Sequence, residues 1–235
     1  MTTIAAIRAA TTSSRVSVAR AGFLPASSAC CANDEGFRMA SLSFWFDFAS
    51  TYSYPAAMRI AEWAAARNVS IAWRPFLLGP IFADQGWRNS PFNIYPAKGR
   101  YMWRDLERVC AAEGLPFVRP DPFPQHSVLA ARVANALDGE ARARFCRAVF
   151  VEEFARGMSI DSEESISRIL RDLELPDETL ARAKSDEVKA ALRSSVEEAR
   201  NLGIFGAPSF VAPDGELFWG FDRLQAALDW TARRS

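Results

Sequence analysis

The stretch LSFWFDFASTYSY, residues 42–54 of the 235-residue chain, decides the fold. Leu42 to Phe48 form an apolar, aromatic-rich run of strand length. From Tyr54 to Arg67 small apolar residues recur at helical spacing, and Pro55 suits the first turn of a helix. A second short strand is predicted at residues 71–73. Together these segments predict a strand–helix–strand unit, whose two strands pair in parallel through a right-handed crossover.

The rest of the chain predicts a series of helices followed by two more strands. Residues 79–97 are rich in Gly and Pro and are predicted to be irregular. Ser209 to Val211 and Glu216 to Trp219 flank the turn signal Pro213-Asp214-Gly215, which predicts a hairpin. Further helices are predicted at residues 99–113, 126–138, 140–156, 186–201 and 223–233, the last of them capped by Asp222.

This order of elements predicts an α/β protein in which a βαβ unit and a ββα unit share one sheet, the thioredoxin-like layout. The predicted thioredoxin-like domain comprises residues 39–78 and 203–235, with a large all-helical insertion domain at residues 79–202. Residues 1–33 contain no acid and resemble an organelle transit peptide in composition. Because their apolar spacing is poor, we favour a start of translation at Met39. Residues 1–38 are therefore predicted to lie outside the fold, either disordered or not translated.

Composition and charge exclude several classes of function. The 28 basic and 28 acidic residues balance, which leaves no electrostatic footprint for nucleic acid or a membrane surface. No apolar run reaches the ~20 residues that a membrane span needs. The single histidine, His126, excludes a multi-histidine metal site, and the four cysteines show no C-x-x-C or zinc spacing, so we predict no metal. Reduced thiols indicate the cytoplasm, although organelle targeting by residues 1–33 is not excluded.

Ser50 is the first candidate for chemistry, because it follows the predicted strand and precedes the predicted helix. The N–H groups and the dipole at the start of a helix favour an anion at such a position. In redox proteins of this layout the anion is a cysteine thiolate, but Ser50 and Ser53 lack both sulfurs, which argues against a disulfide oxidoreductase. Ser50 can donate a hydrogen bond to a thiolate brought by a ligand, or it can simply cap the helix.

Three further groups could hold a thiol-bearing ligand, although each also has an ordinary structural explanation. A cis bond before Pro208 would present the backbone of Ala207 to an extended peptide. With a trans bond, Pro208 would be an ordinary proline at the start of a strand. Asp222 could bind an ammonium group or merely cap the last helix. The third group, at the entry to the insertion, comprises Asn89, Asn93, Lys98 and Tyr101. The cation of Lys98 and the phenol of Tyr101 are three residues apart and could hold a carboxylate. All four could instead be solvated surface residues.

Four sequence blocks follow one another along the chain: residues 46–54, residues 89–91 with 96–102, residues 203–208 and residues 219–223. In this order they resemble the motifs of 2-hydroxychromene-2-carboxylate isomerases and of the related kappa-class glutathione transferases. The resemblance extends over about residues 41–233. It implies a DsbA-like thioredoxin fold with a helical insertion, a homodimer, bound glutathione and a small aromatic substrate. Thr51 departs from the family, which usually has proline there.

The resemblance also implies a role for each candidate residue. Ser50 would be the catalytic serine that holds the glutathione sulfur, and Ala207 would pair with the cysteinyl backbone next to cis Pro208. Asn89 matches the family's ligand asparagine, although Asn93 competes for that position. Phe221 and Asp222 would hold the γ-glutamyl end, and Trp219 and Gly220 would also contact glutathione. The implied substrate contacts are those of Asn93, Lys98 and Tyr101.

The activity implied by the resemblance is the isomerisation of 2-hydroxychromene-2-carboxylate to trans-o-hydroxybenzylidenepyruvate in aromatic-hydrocarbon catabolism. Addition of the glutathione thiolate to the conjugated system, rotation and elimination would return glutathione unchanged. Two alternatives remain at this point. One is a kappa-like transferase that consumes glutathione with electrophiles, and the other is a non-catalytic thioredoxin-fold protein that binds thiols or peptides.

Overall fold

The computed structural model describes residues 39–87, 89–176 and 178–234. The predicted extension at residues 1–38, with its two alternative interpretations, lies outside the described residues. No helix in the described ranges combines the length and the apolar character that crossing a membrane requires.

A four-stranded mixed sheet forms the centre of the fold. Its first unit comprises β1 (Ser41–Phe46), α1 (Ser53–Ala65) and β2 (Ser70–Pro75), and its second contains β3 (Ser209–Val211) and β4 (Leu217–Trp219). The spatial order is β2-β1-β3-β4, with β1 and β2 parallel and the other two pairs antiparallel. The predicted crossover and the predicted hairpin are therefore confirmed, and they share one sheet.

Helices fill the chain between β2 and β3, and two of them form where the sequence predicted irregular structure. That prediction for residues 79–97 is wrong because Pro80 and Pro91 lie in first helical turns, where the missing N–H of proline breaks no hydrogen bond. Ser90 caps the second of these helices by accepting a 3.3 Å hydrogen bond from the Phe92 N–H.

The helices between β2 and β3 have these bounds: α2 Leu78–Asp84, α3 Pro91–Ile94, α4 Pro96–Ala112, α5 Val128–Ala136, α6 Gly139–Phe150, a π-helical turn Val151–Ala155, α7 Glu163–Asp172, α8 Glu178–Ala183 and α9 Asp186–Asn201.

The central strand β1 is buried on both faces, which explains its nearly continuous apolar sequence. Phe44 and Phe46 point to one face and pack with side chains of α1 and α6. Trp45 points to the other face and packs with Phe76 and with side chains of α2 and α9. Side chains alternate between the two faces of a strand, so helices on both sides of the sheet require apolar residues at successive positions.

The last helix, α10 (Leu224–Ala232), is not capped by Asp222 as the sequence predicted. A 3₁₀ turn, Phe221–Arg223, precedes it, and the Arg223 N–H donates to the Gly220 carbonyl at 3.0 Å. The Asp222 carboxylate packs over Gly220, whose φ of +103° and missing side chain allow this approach. The turn therefore satisfies its N–H group with a backbone carbonyl and leaves Asp222 exposed, 3.3 Å from the Arg223 guanidinium.

Candidate active site

The Ser50 loop is a tight turn between β1 and α1. The Ser50 N–H donates to the Asp47 carbonyl at 3.0 Å, and the Ser53 N–H donates to the Ser50 carbonyl at 3.1 Å. Tyr52, not Ser50, occupies the capping position of α1. The Ser50 hydroxyl instead donates a 2.9 Å hydrogen bond to the Ala207 carbonyl, so the interpretation of Ser50 as a simple helix cap is wrong.

The segment around Ala207 meets this loop from the other end of the sequence. The Ala207–Pro208 peptide bond is cis, as expected for a segment that presents its backbone to the loop. The Pro208 carbonyl accepts a 2.9 Å hydrogen bond from the Gly220 N–H. Three predicted blocks, at Ser50, at Ala207–Pro208 and at Trp219–Gly220, therefore converge at one end of the sheet.

Three backbone N–H groups in the Ser50 loop and in the Ala207 segment that contacts it are unused. The N–H groups of Thr51, Tyr52 and Ala207 form no hydrogen bond with any residue in the described ranges. Thr51 is itself buried, and buried N–H groups are almost always paired in native proteins. This end of the sheet can therefore accept an anion or a peptide backbone from a ligand.

Aromatic side chains border the same end of the sheet. Trp219 and Phe205 are both about half exposed, with ring centres 5.0 Å apart. A Cβ atom on Gly206 would lie 2.5 Å from Trp219 Nε1, so the indole rests directly on the glycine. Phe221 stacks on Trp63 of α1 with ring centres 5.8 Å apart.

The group at the entry to the insertion is exposed and partly paired with itself. Asn93 Nδ2 donates to Asn89 Oδ1 at 3.0 Å, so the two competing asparagines share one hydrogen bond. The Lys98 ammonium lies 4.9 Å from the centre of the Tyr95 ring. Tyr101 is exposed on α4, three residues after Lys98, as the helical spacing predicts.

A hydrogen bond that the sequence analysis missed ties α4 to the Ser50 loop. The Tyr52 hydroxyl donates to Asp105 Oδ2 at 2.8 Å, and Arg108 donates to Asp105 Oδ1 at 2.9 Å. Burial and the Asp105 carboxylate raise the pKa of Tyr52 above its ordinary value, so the phenol keeps its proton. Asp105 and Arg108 follow Tyr101 by four and seven residues and share its helical face. This spacing was the available sequence signal for the contact. Through the Tyr52–Asp105 bond, the face of α4 that carries Tyr101 lies beside the Ser50 loop.

Comparison with known proteins places the chain in a family. A family model for the DSBA-like thioredoxin domain matches residues 41–229. The chain belongs to this DsbA-like thioredoxin family. It is also similar to a curated 2-hydroxychromene-2-carboxylate isomerase from Sphingobium xenophagum, with 26% identity over 186 residues that cover 78% of this chain and 94% of the relative.

Solved structures share the DsbA-like fold. One is a 2-hydroxychromene-2-carboxylate isomerase, with a TM-score of 0.75 and 23% identity, covering 83% of this chain and 95% of that one. Another is a putative protein disulfide isomerase from Nitrosomonas europaea, with a TM-score of 0.64 and 16% identity, covering 84% and 99%. At these identities the likeness concerns the fold alone.

A buried carboxylate, that of Asp47, stabilises the Ser50 loop of this DsbA-like chain through hydrogen bonds. It is the one charged residue in the apolar run 42–48, and it is buried. Its carboxylate accepts hydrogen bonds from the Ala49 N–H at 3.1 Å, the Leu78 N–H at 2.8 Å and the Ser127 hydroxyl at 2.7 Å. Burial raises the pKa of Asp47, and these three donors oppose that rise. One side chain thus joins the Ser50 loop to the starts of α2 and α5.

The cysteines of the DsbA-like domain are not suited to redox chemistry. Cys110 and Cys146 are buried and unpaired by disulfide. Burial raises the pKa of the Cys110 thiol to about 11 and raises that of Cys146 further. A thiol that does not ionise is a poor nucleophile. Within the described part of the chain, no cluster of His, Cys, Asp and Glu could hold a metal ion.

Proposed function

We propose that the protein is a glutathione-dependent isomerase that converts 2-hydroxychromene-2-carboxylate to trans-o-hydroxybenzylidenepyruvate. The observation that carries this proposal is the Ser50 hydroxyl, bonded to the Ala207 carbonyl beside backbone N–H groups that no described residue accepts. The similarity to a curated isomerase of that name supports the same reaction here. Serine at positions 50 and 53, with both described cysteines buried elsewhere, favours a thiol that arrives with a ligand.

The residues of the site fit a small peptide that carries a thiol. Ala207 can offer its N–H and its carbonyl to an extended peptide as an added strand would use them. The start of α1 stabilises a negative charge, and the Ser50 hydroxyl can donate to it. When bound, glutathione supplies a thiolate that adds reversibly to a conjugated double bond.

The other candidate residues have positioning roles in this proposal. Pro208 and Gly220 hold the Ala207 backbone in place through their own hydrogen bond. Lys98 and Tyr101 contact the substrate carboxylate, on a helix that the Tyr52–Asp105 bond keeps beside the loop. Either Asn89 or Asn93 contacts glutathione, and the γ-glutamyl end lies against Trp219, Phe221 and Asp222.

The decisive experiment compares two serines of the same loop. Ser50→Ala removes a hydroxyl that has a defined partner, whereas Ser53→Ala removes a buried hydroxyl that bonds to no described residue. We expect Ser50→Ala to lower kcat by about 10²-fold or more, the usual effect of removing one donor to a developing anion. Ser53→Ala should stay within about twofold of the wild type, because no hydrogen bond is lost.

The assay follows isomer formation and thiol concentration together, with and without added glutathione. Isomer formation that requires glutathione but leaves its concentration constant supports the proposal. Stoichiometric loss of thiol would instead identify a kappa-like transferase. Glutathione binding without turnover of the chromene or of general electrophiles would identify a non-catalytic binding protein. Equal turnover in the wild type and Ser50→Ala would refute the assigned role of Ser50.

The proposal also includes a homodimer that acts in the cytoplasm on a small aromatic substrate. Light scattering during gel filtration measures the first of these properties directly. A mass close to that of one 26.0 kDa chain would contradict the dimer without affecting the proposed chemistry.

A further inference from the structure

Glu153 is a buried acid that the proposed reaction does not use. It lies in the π-helical turn Val151–Ala155 and is fully buried. Neither of its carboxylate oxygens accepts a hydrogen bond from a residue that the structure describes. Its neighbour Glu152, in contrast, pairs with Arg168 and, at 3.0 Å, with Arg156. An unpaired ionised carboxylate in such a place would be very costly, which favours the protonated form of Glu153.

The π-helical turn packs directly on the Ser50 loop. The ring of Phe150, immediately before the turn, lies 5.7 Å from that of Phe46 and 5.1 Å from that of Phe48, the two residues that flank Asp47. Phe154, immediately after Glu153, stacks on Tyr54 at 5.6 Å. Glu153 is thus held between two aromatic contacts with residues 46–54, near enough for the charge of Asp47 to act on it.

Asp47 and Glu153 differ sharply in the donors available to them. Asp47 accepts three hydrogen bonds, from Ala49, Leu78 and Ser127, which favour its ionised form. Glu153 accepts none, and burial together with the negative charge of Asp47 raises its pKa well above the ordinary value. The Tyr54 hydroxyl is committed to the Pro116 carbonyl at 2.6 Å, and no cation in the described ranges pairs with Glu153. Burial also raises the pKa of Asp47, but its three donors oppose that rise, so a single proton in this pair is favoured on Glu153, which has no donor among the described residues.

We propose that Glu153 is a positioning residue for the Ser50 loop: it carries the proton of a buried two-carboxyl pair, so that Asp47 keeps the carboxylate that fixes Ala49, next to Ser50. Ionisation of Glu153 would place a second negative charge beneath the loop. That charge would disturb the hydrogen bonds of Asp47 and would oppose any anion held at Ser50. The first consequence is independent of the proposed function, whereas the second rests on it.

The first test uses the protein without ligand. The amide signals of Ala49 and Leu78 report on the Asp47 carboxylate. We expect them to shift in the wild type as Glu153 loses its proton, at a pH well above 4.5, the ordinary pKa of a glutamate. Glu153→Gln mimics the protonated acid and should remove this pH-dependent shift while retaining the fold. Identical titrations of both amides in the wild type and in Glu153→Gln would overturn the proposal.

Unfolding experiments provide a second readout with a matched control. The pKa of Glu153 is raised in the folded state, so the folded protein binds more protons and its stability should fall as pH rises above about 4.5. Glu153→Gln should flatten this slope and raise the urea midpoint at pH 8. Burial alone would raise the pKa of Glu152, but Arg168 and Arg156 outweigh it and lower that pKa. Glu152→Gln should therefore lower the midpoint at pH 8. A Glu153→Gln slope equal to that of the wild type would contradict the shared proton.

The third test concerns the bound anion. The thiolate absorbance of glutathione at 240 nm, followed against pH in the complex, should show a broader titration in the wild type than in Glu153→Gln. Identical curves would overturn the effect of Glu153 on the anion, even where the ligand-free tests succeed. Absence of glutathione binding to both proteins would contradict the proposed function alone, because the amide and unfolding tests need no ligand.

Discussion

Arg142 joins the helical segment of the chain to the sheet, and its removal should be costly. Its guanidinium donates to the carbonyls of Ala134 and Leu137, each at 2.8 Å, and to that of Trp73 in β2 at 3.2 Å. A fourth contact, 3.1 Å from Asp138, is an ion pair in which the aspartate side chain is 93% exposed. The Arg142 side chain itself is only 20% exposed, so water cannot easily replace it.

The magnitude follows from these contacts. Hydrogen bonds to charged groups contribute about 1.5–3 kcal/mol each, but the Ala134 and Leu137 carbonyls share one N–H of Arg142. Counting two effective bonds, and allowing for partial hydration, Arg142→Met should lower the free energy of unfolding by about 3 kcal/mol. The exposed ion pair should contribute less than about 0.5 kcal/mol. Arg142→Lys should recover little, because an ammonium cannot match the planar fork of a guanidinium.

Urea unfolding followed by tryptophan fluorescence and by far-ultraviolet circular dichroism measures these differences. Asp138→Asn removes the ion pair and keeps the three carbonyl contacts, so it should lie within about 0.5 kcal/mol of the wild type. An equal loss of unfolding free energy in Asp138→Asn and Arg142→Met would show that the ion pair, not the carbonyl contacts, accounts for the stabilisation by Arg142. A decrease in unfolding free energy below about 0.5 kcal/mol in Arg142→Met would refute the stabilising role of the Arg142 carbonyl contacts.

Two further substitutions test the surroundings of Ser50. In Gly206→Ala the new Cβ would lie 2.5 Å from Trp219 Nε1, so the half-exposed indole must move by about 1 Å. We expect calorimetry to show weaker glutathione binding, and we expect the free energy of unfolding to fall by less than about 2 kcal/mol. An unchanged Kd for glutathione would contradict a role for Trp219 in binding. Tyr52→Phe removes the hydroxyl bonded to Asp105 and should destabilise the protein by about 1–2 kcal/mol in urea. Tyr101→Phe, with its exposed phenol, is the control for stability, and an equal effect of both would contradict the link.

Local patterns predicted the sheet and the longest helices well, because burial and capping act over a few residues there. The helix at 186–201 and the strand at 209–211 have the predicted bounds. Residues 79–97 were misjudged because proline favours both the interruption and the first turn of a helix, and only packing decides between them. Asp222 was misjudged because the Gly220 turn supplied a backbone acceptor in its place.

Contacts between distant parts of the chain could not be predicted from spacing. Asp47 and Ser127 are 80 positions apart, and Tyr52 and Asp105 are 53 positions apart. Neither pair leaves a local pattern, since each residue alone is an ordinary polar side chain near a helix start or on a helix face. Glu153 also escaped notice, because a glutamate in a helical run normally faces water.

The bond between Ser50 and Ala207, which spans 157 positions, gives the choice of serine a physical reason. Without ligand, the Ser50 hydroxyl satisfies the Ala207 carbonyl, which accepts no other hydrogen bond from the part of the chain that the structure describes. In the proposed complex the Ala207 carbonyl accepts the amide of the bound peptide, and this releases the Ser50 hydroxyl to donate to the sulfur. One hydrogen bond is exchanged for two, and no acceptor of the protein is left unpaired. A cysteine at position 50 would be a weak donor in both states, so Ser50 suits a site whose reactive sulfur belongs to the ligand.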